Sequence, residues 1–222
     1  MPADRQNALP NDRLTGQTQN LINLGNFLFF PAGLLLAVSY GVHPPGPYLP
    51  ALVSSSFWIA IHAGFLLSLL GGIFSAFSAL TTYLRKPNSR LQGPIGACMA
   101  VVGLFLIGGL DYAEIFIFPT LAIEFPAVVE TYGAGDTMPS VAFAFPAAGI
   151  FTVIGYFLLS YELYRTRCIP SWAGVLTMVS VVIFGIGLSG FFPFILAQVG
   201  AILFGLGLMS LGWGLLPRRT VP

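Results

Sequence analysis

IGACMAVVGLFLIGGLDYAEIFIFPTLAI, from Ile95 to Ile123, decides how this chain is read. It is apolar throughout except for two carboxylates, Asp111 and Glu114. It also exceeds the ~20 residues a helix needs to cross ~30 Å of hydrocarbon. Comparable stretches run from Leu21 to Tyr40, Phe57 to Leu84, Val141 to Leu163, Trp172 to Gly190 and Phe194 to Leu216. The whole chain of 222 residues is 56% hydrophobic and 8% charged, with a mean hydropathy of +0.85. Soluble domains carry roughly a quarter charged residues, and so few charges cannot cover a water-facing surface. The long unbroken runs exclude a β-barrel, whose strands alternate over ~10 residues. The predicted class is all-α: a polytopic membrane protein with six transmembrane helices, forming one domain over 21–216 between polar tails at 1–20 and 217–222.

Six spans place both termini and the second and fourth connections on one side. Every basic residue falls there: Arg5, Arg13, Arg85, Lys86, Arg90, Arg165, Arg167, Arg218 and Arg219. By the positive-inside rule that side, with both termini, is expected to be cytoplasmic, and the membrane a bacterial inner membrane. Trp58, Trp172 and Trp213, with Tyr40, Tyr83 and Tyr164, fall at span ends, where amphipathic rings favour the interface. Cys98 and Cys168 map to the reducing side, so no structural disulfide is expected. The start, MPADRQNALPNDR, lacks the layout of a signal peptide and reads as a cytoplasmic tail.

The connections differ in character. RKPNSRLQG (85–93) and YRTRCIPS (164–171) are short and join antiparallel neighbours. The first outer loop, YGVHPPGPYLPALVSSS (40–56), holds four prolines and is expected to be stiff and extended rather than helical. The second outer loop is acidic, with Glu124, Glu130 and Asp136, and its PAVVETY (126–132) suits a short interfacial helix. FFPAGLLL in span one resembles FAFPAAGIF in span four. The other span pairs of an inverted repeat show no such match, so this one is read as chance. Pro31, near mid-span, is the expected kink site, and Pro146 an early-helix proline.

Small residues predict where helices touch, because in lipid close packing replaces the hydrophobic drive. Gly200, Gly207 and Gly214 recur at heptad spacing with Ser210 alongside. Gly64, Ser68, Gly71, Ser75, Ser78 and Thr82 form a three-four stripe on span two. Packing is the expected role of both, with a lined path for water or a polar solute as the alternative for the span-two stripe. The same glycine-rich faces offer contacts to partner membrane subunits or to a second copy of the chain.

Depth along each helix brings four polar groups to one level. Asp111 lies ~24 Å along its span from the inner end, and Glu114 one turn further out, on the same face. His62 sits ~8 Å below the outer boundary of span two, and Gln198 ~6 Å below that of span six. A charged carboxylate facing lipid is costly, so these groups should face the bundle or an outward cavity. Acid pairing with His62 would suit a proton, a cation or a small polar ligand.

A His with two carboxylates, His62, Asp111 and Glu114, is also an acceptable shell for a divalent metal. His43 can add a second imidazole if the proline-rich loop folds back. Through His62 alone, haem or a chlorophyll-type pigment is also conceivable chemistry. A catalytic serine is not indicated: Ser54, Ser55 and Ser56 lack a G-x-S-x-G turn and read as helix caps. Glu162 is expected at the inner interface, paired with Arg165 or with water. No nucleotide, zinc-protease or redox motif occurs, and nothing points to nucleic acid.

Three functions follow from this reading. The first is an outward-facing binding site serving transport or sensing. The second is an accessory or scaffold subunit, with the polar groups merely anchoring the outer rim. The third is a metal-dependent membrane enzyme acting on a lipid-like substrate.

Overall fold

The computed structural model describes residues 10–133, 139–189 and 191–217, and every regular element among them is a helix. Arg5, Asp136, Gly190, Arg218 and Arg219 lie outside the described residues. In chain order the helices are α1 (Pro10–Gly41), α2 (Pro50–Val53), α3 (Ser56–Leu84), α4 (Gln92–Phe116), α5 (Phe118–Glu124), α6 (Pro126–Gly133), α7 (Pro139–Arg165), α8 (Ser171–Leu188) and α9 (Ile195–Leu215). Six segments are long and apolar enough to cross a membrane: Gly16–Gly41, Ser56–Leu84, Gln92–Glu124, Pro146–Arg165, Ser171–Leu188 and Ile195–Leu215. Large apolar side chains stand outward at helical spacing, such as Leu67, Leu70, Phe74 and Phe77 on α3. That is the surface of a protein solvated by lipid, and the chain is an integral membrane protein.

The six long helices α1, α3, α4, α7, α8 and α9 form a closed ring. Each packs against its chain neighbours, and α9 returns to α1. All neighbours are antiparallel. On the α1–α3 contact, Ser68 donates to the Ala32 carbonyl (2.7 Å), Ser75 to Gly25 (3.0 Å) and Ser78 to Ile22 (2.5 Å). The small-polar stripe of span two is therefore a packing seam, each hydroxyl finding a backbone acceptor in an environment without water. The heptad glycines of α9 also meet helices and loops of this chain. A Cβ on Gly200 would lie 2.5 Å from the Phe184 backbone, and one on Gly214 2.7 Å from Pro170. These glycines thus pack against elements of this chain, Gly200 and Gly207 buried and Gly214 half-buried.

The closest approach joins α4 to α7. A Cβ on Gly155 would stand 2.1 Å from the backbone nitrogen of Ala100, so two main chains would have to separate. Gly155→Ala is expected to destabilise the protein by about 1–3 kcal/mol through overpacking. Gly149→Ala on the same helix, with nothing within 4 Å, is the neutral control. Thermal melting of both variants in one detergent makes the comparison. Equal melting temperatures would contradict the α4–α7 seam.

Three departures from expectation shape the end of the ring that carries the proline-rich loop. First, the long third span breaks at Ile117, just past the two acids. Pro119 follows in the first turn of α5 and has no N–H for the carbonyl one turn earlier. Second, the proline-rich loop is not wholly extended: Pro50–Val53 closes one helical turn before Ser55 caps α3, accepting from the Trp58 N–H at 3.2 Å. Third, α2, α5 and α6 pack together over the ring end. They bury Val53, Trp58, Ala122 and Val129 in a separate cluster, with Tyr48, Leu52, Phe118 and Leu121 against it. The expected interfacial helix at 126–132 is present as α6, but as part of this cap.

The opposite end is basic. There Glu162, expected at the interface, is fully buried. Its carboxylate accepts from Arg165 Nη2 at 2.6 Å and from the Tyr83 hydroxyl at 2.7 Å. Arg165 Nη2 also donates to the Asn88 carbonyl at 2.8 Å, tying the 85–91 loop to α7. The expected Glu162–Arg165 pair is thus present, as the core of a buried network.

Candidate functional site

The axis of the ring is filled by aromatic side chains. Tyr156 meets Phe204 (centroids 5.1 Å apart), Phe204 meets Phe184 (6.1 Å) and Phe184 meets Tyr40 (5.2 Å). Tyr40 stacks on His43 at 5.4 Å, and His43 lies 5.1 Å from His62. His62 in turn lies 4.3 Å from Trp58. One continuous file of rings therefore runs from mid-bundle to the capped end. The central cavity among them is small and lined mainly by apolar side chains such as Leu36, Leu104 and Ile107.

The proline-rich loop does fold back. His43 sits among Tyr40, Tyr48, Trp58, His62 and Phe194, with its Nδ1 donating to the Pro44 carbonyl at 2.8 Å. Burial holds its imidazole below the ordinary value, the Pro44 carbonyl partly opposing this. Gln198 keeps the loop in place, donating to the carbonyls of His43 (2.9 Å) and Gly41 (3.3 Å). It therefore supports the loop and, among the described residues, does not join the acids. His62 is likewise committed elsewhere. Its Nδ1 donates to the Trp58 carbonyl at 2.9 Å, and among the described residues it makes no ion pair with either carboxylate.

Trp58 links these groups to the acids. It lies at its span end as expected but is 1% exposed, covered by protein, and its Nε1 donates to the Glu114 carbonyl at 3.0 Å. Its i,i+4 spacing from His62 already put the two on one face. Tyr40 and Tyr83 are also buried, whereas Trp172 and Trp213 stand exposed as an interfacial belt requires. Tyr48, which sequence reasoning passed over, faces the same place. Burial first, and then the nearby Glu114 carboxylate, push its hydroxyl up to about 12.

Asp111 and Glu114 themselves are the unusual feature. Asp111 is buried, and Asp111 Oδ2 and Glu114 Oε2 are both shielded from solvent without any hydrogen-bond partner among the described residues. Glu162, by contrast, is saturated by an arginine and a tyrosine. Nearly all buried polar atoms in native proteins are paired, so two unpaired carboxylate oxygens one turn apart call for a chemical explanation. An unpaired ionised carboxylate is costly in an apolar site, and protonation or a counter-charge removes that cost. The expected metal shell of His62, Asp111 and Glu114 is not assembled, since no three His, Cys, Asp or Glu side chains among the described residues gather to hold a metal ion. Compared with known protein families, curated proteins and solved structures, the chain matches none.

Proposed function

We propose that this membrane protein binds a proton or a monovalent cation at the Asp111–Glu114 pair, beneath the cap formed by α2, α5 and α6. The observation that carries this reading is the pair of buried, unpartnered carboxylate oxygens in an interior whose other buried acid is fully paired. The distribution of basic residues supports an outward orientation for the capped end, in a bacterial inner membrane. Aromatic rings fill the axis below the site, which favours access from the capped side and a role in sensing or in uptake coupled to cap movement. The scaffold reading is less favoured because the glycine faces it relied on pack inside the ring. The enzyme reading finds no metal-ligand set among the described residues.

The test follows proton release from detergent-solubilised protein in weak buffer as sodium or potassium chloride replaces choline chloride. Displacement of bound protons, absent from the Asp111→Asn/Glu114→Gln protein, is the expected result. Release that is identical in that variant would overturn the assignment.

A further inference from the structure

At the basic end, a groove of about 320 Å³ lies between the two loops that follow α3 and α7. Lys86, Pro87 and Asn88 line one side and Arg165, Thr166 and Arg167 the other. Three of the six are cations. The acid nearest in the network, Glu162, is buried and already holds Arg165 through Nε and Nη2. Arg165 Nη1 and the side chains of Lys86 and Arg167 make no hydrogen bond or ion pair to protein among the described residues. The groove therefore carries positive charge that the described residues leave uncompensated.

The backbone adds a second, independent observation. The α7 C-terminus closes with Cys168 N–H donating to the Leu163 carbonyl (2.9 Å) and Arg167 N–H to Tyr164 (3.0 Å). This is the Schellman pattern, whose left-handed residue is usually glycine. Here it is Arg167, at φ 56, the only non-glycine residue with positive φ among those described. A long cation occupies a position where glycine would be less strained, and that outlier points to work for its side chain. Both loops begin where their spans end, at Leu84 and Arg165, which sets the groove at headgroup depth.

We propose that this groove binds a phosphate-bearing anion, held by Lys86, Arg167 and the free edge of Arg165. The chemistry is charge-assisted hydrogen bonding from guanidinium and ammonium to phosphate oxygens. A phosphodiester lipid headgroup and free phosphate present the same group, and the experiment separates them.

Native mass spectrometry of the full chain in detergent would compare phosphatidylglycerol with phosphatidylcholine of the same acyl chains, for wild type and Lys86→Gln/Arg167→Gly. Inorganic phosphate would be titrated in a parallel melting experiment. The wild type is expected to retain phosphatidylglycerol about tenfold better than phosphatidylcholine, with parity in the double variant. Arg167→Gly alone should melt no lower than wild type, since glycine relieves the left-handed residue, yet lose the preference. That outcome sets a binding role apart from a structural one. If phosphate raises the wild-type melting temperature while the lipids are retained equally, the site takes free phosphate. If neither lipid nor phosphate distinguishes wild type from the double variant, the proposal is overturned.

Discussion

Trp58→Ala is expected to destabilise the protein by about 3–5 kcal/mol, the range for emptying a buried tryptophan site. The residue is 1% exposed and touches the rings of His43, Tyr48 and His62. It also belongs to the cluster that joins the cap to the ring. Within an apolar phase the loss is one of packing contacts more than of hydration. The indole N–H bond to Glu114 is a separate and smaller contribution, so Trp58→Phe should cost about 1 kcal/mol for it, plus any volume effect. Denaturation in detergent followed by circular dichroism measures both. A Trp58→Ala protein within 1 kcal/mol of wild type would show that the cap does not rest on this side chain.

The second large effect concerns binding. Asp111→Asn/Glu114→Gln should fold normally, because among the described residues neither Asp111 Oδ2 nor Glu114 Oε2 has a partner that the amide would release. It should nevertheless lose all cation-linked stabilisation. A ligand that binds only the folded state adds about 2.7 kcal/mol at one hundred times its dissociation constant. A wild-type site near saturation therefore melts several degrees higher in the bound cation than in choline. The double variant is expected to show no difference between the two salts at equal ionic strength. Single variants should lie between, since the two carboxylates occupy adjacent turns of α4 and would share one ion. Persistence of the full shift in the double variant would place the cation elsewhere.

Much of this architecture was written in the sequence, and the physical reason is length. A run as long and apolar as Ile95 to Phe116 has no stable place except across a bilayer. The small-residue stripe of α3 has no better use than contact with α1, which Ser68, Ser75 and Ser78 make. The Ser55 cap and the i,i+3 pair of Glu162 and Arg165 were legible because they are local. Position along each helix was legible too, because an α-helix rises a fixed ~1.5 Å per residue. Which way a side chain faces was not, since that is set by neighbours. Gln198 serves the His43 loop rather than the acids. Trp58 and Tyr83 have the interfacial position of belt residues but are covered by loops that return over them. No local pattern announces such a return. Only the Gln198 anchor and the aromatic partners of His43 make it visible. The missing partner of the two acids is likewise a property of the assembled fold.

The most direct test of the central claim is labelling of the intact protein in detergent with an apolar carbodiimide, which adds to protonated carboxyl groups in apolar sites, read by peptide mass spectrometry. The account predicts a single major adduct on Glu114 or Asp111, none on Glu162, and slower labelling when the bound cation competes with the proton. Labelling of Glu162 as fast as of the pair, or no adduct on either Asp111 or Glu114 at any pH at which the protein stays folded, would contradict it.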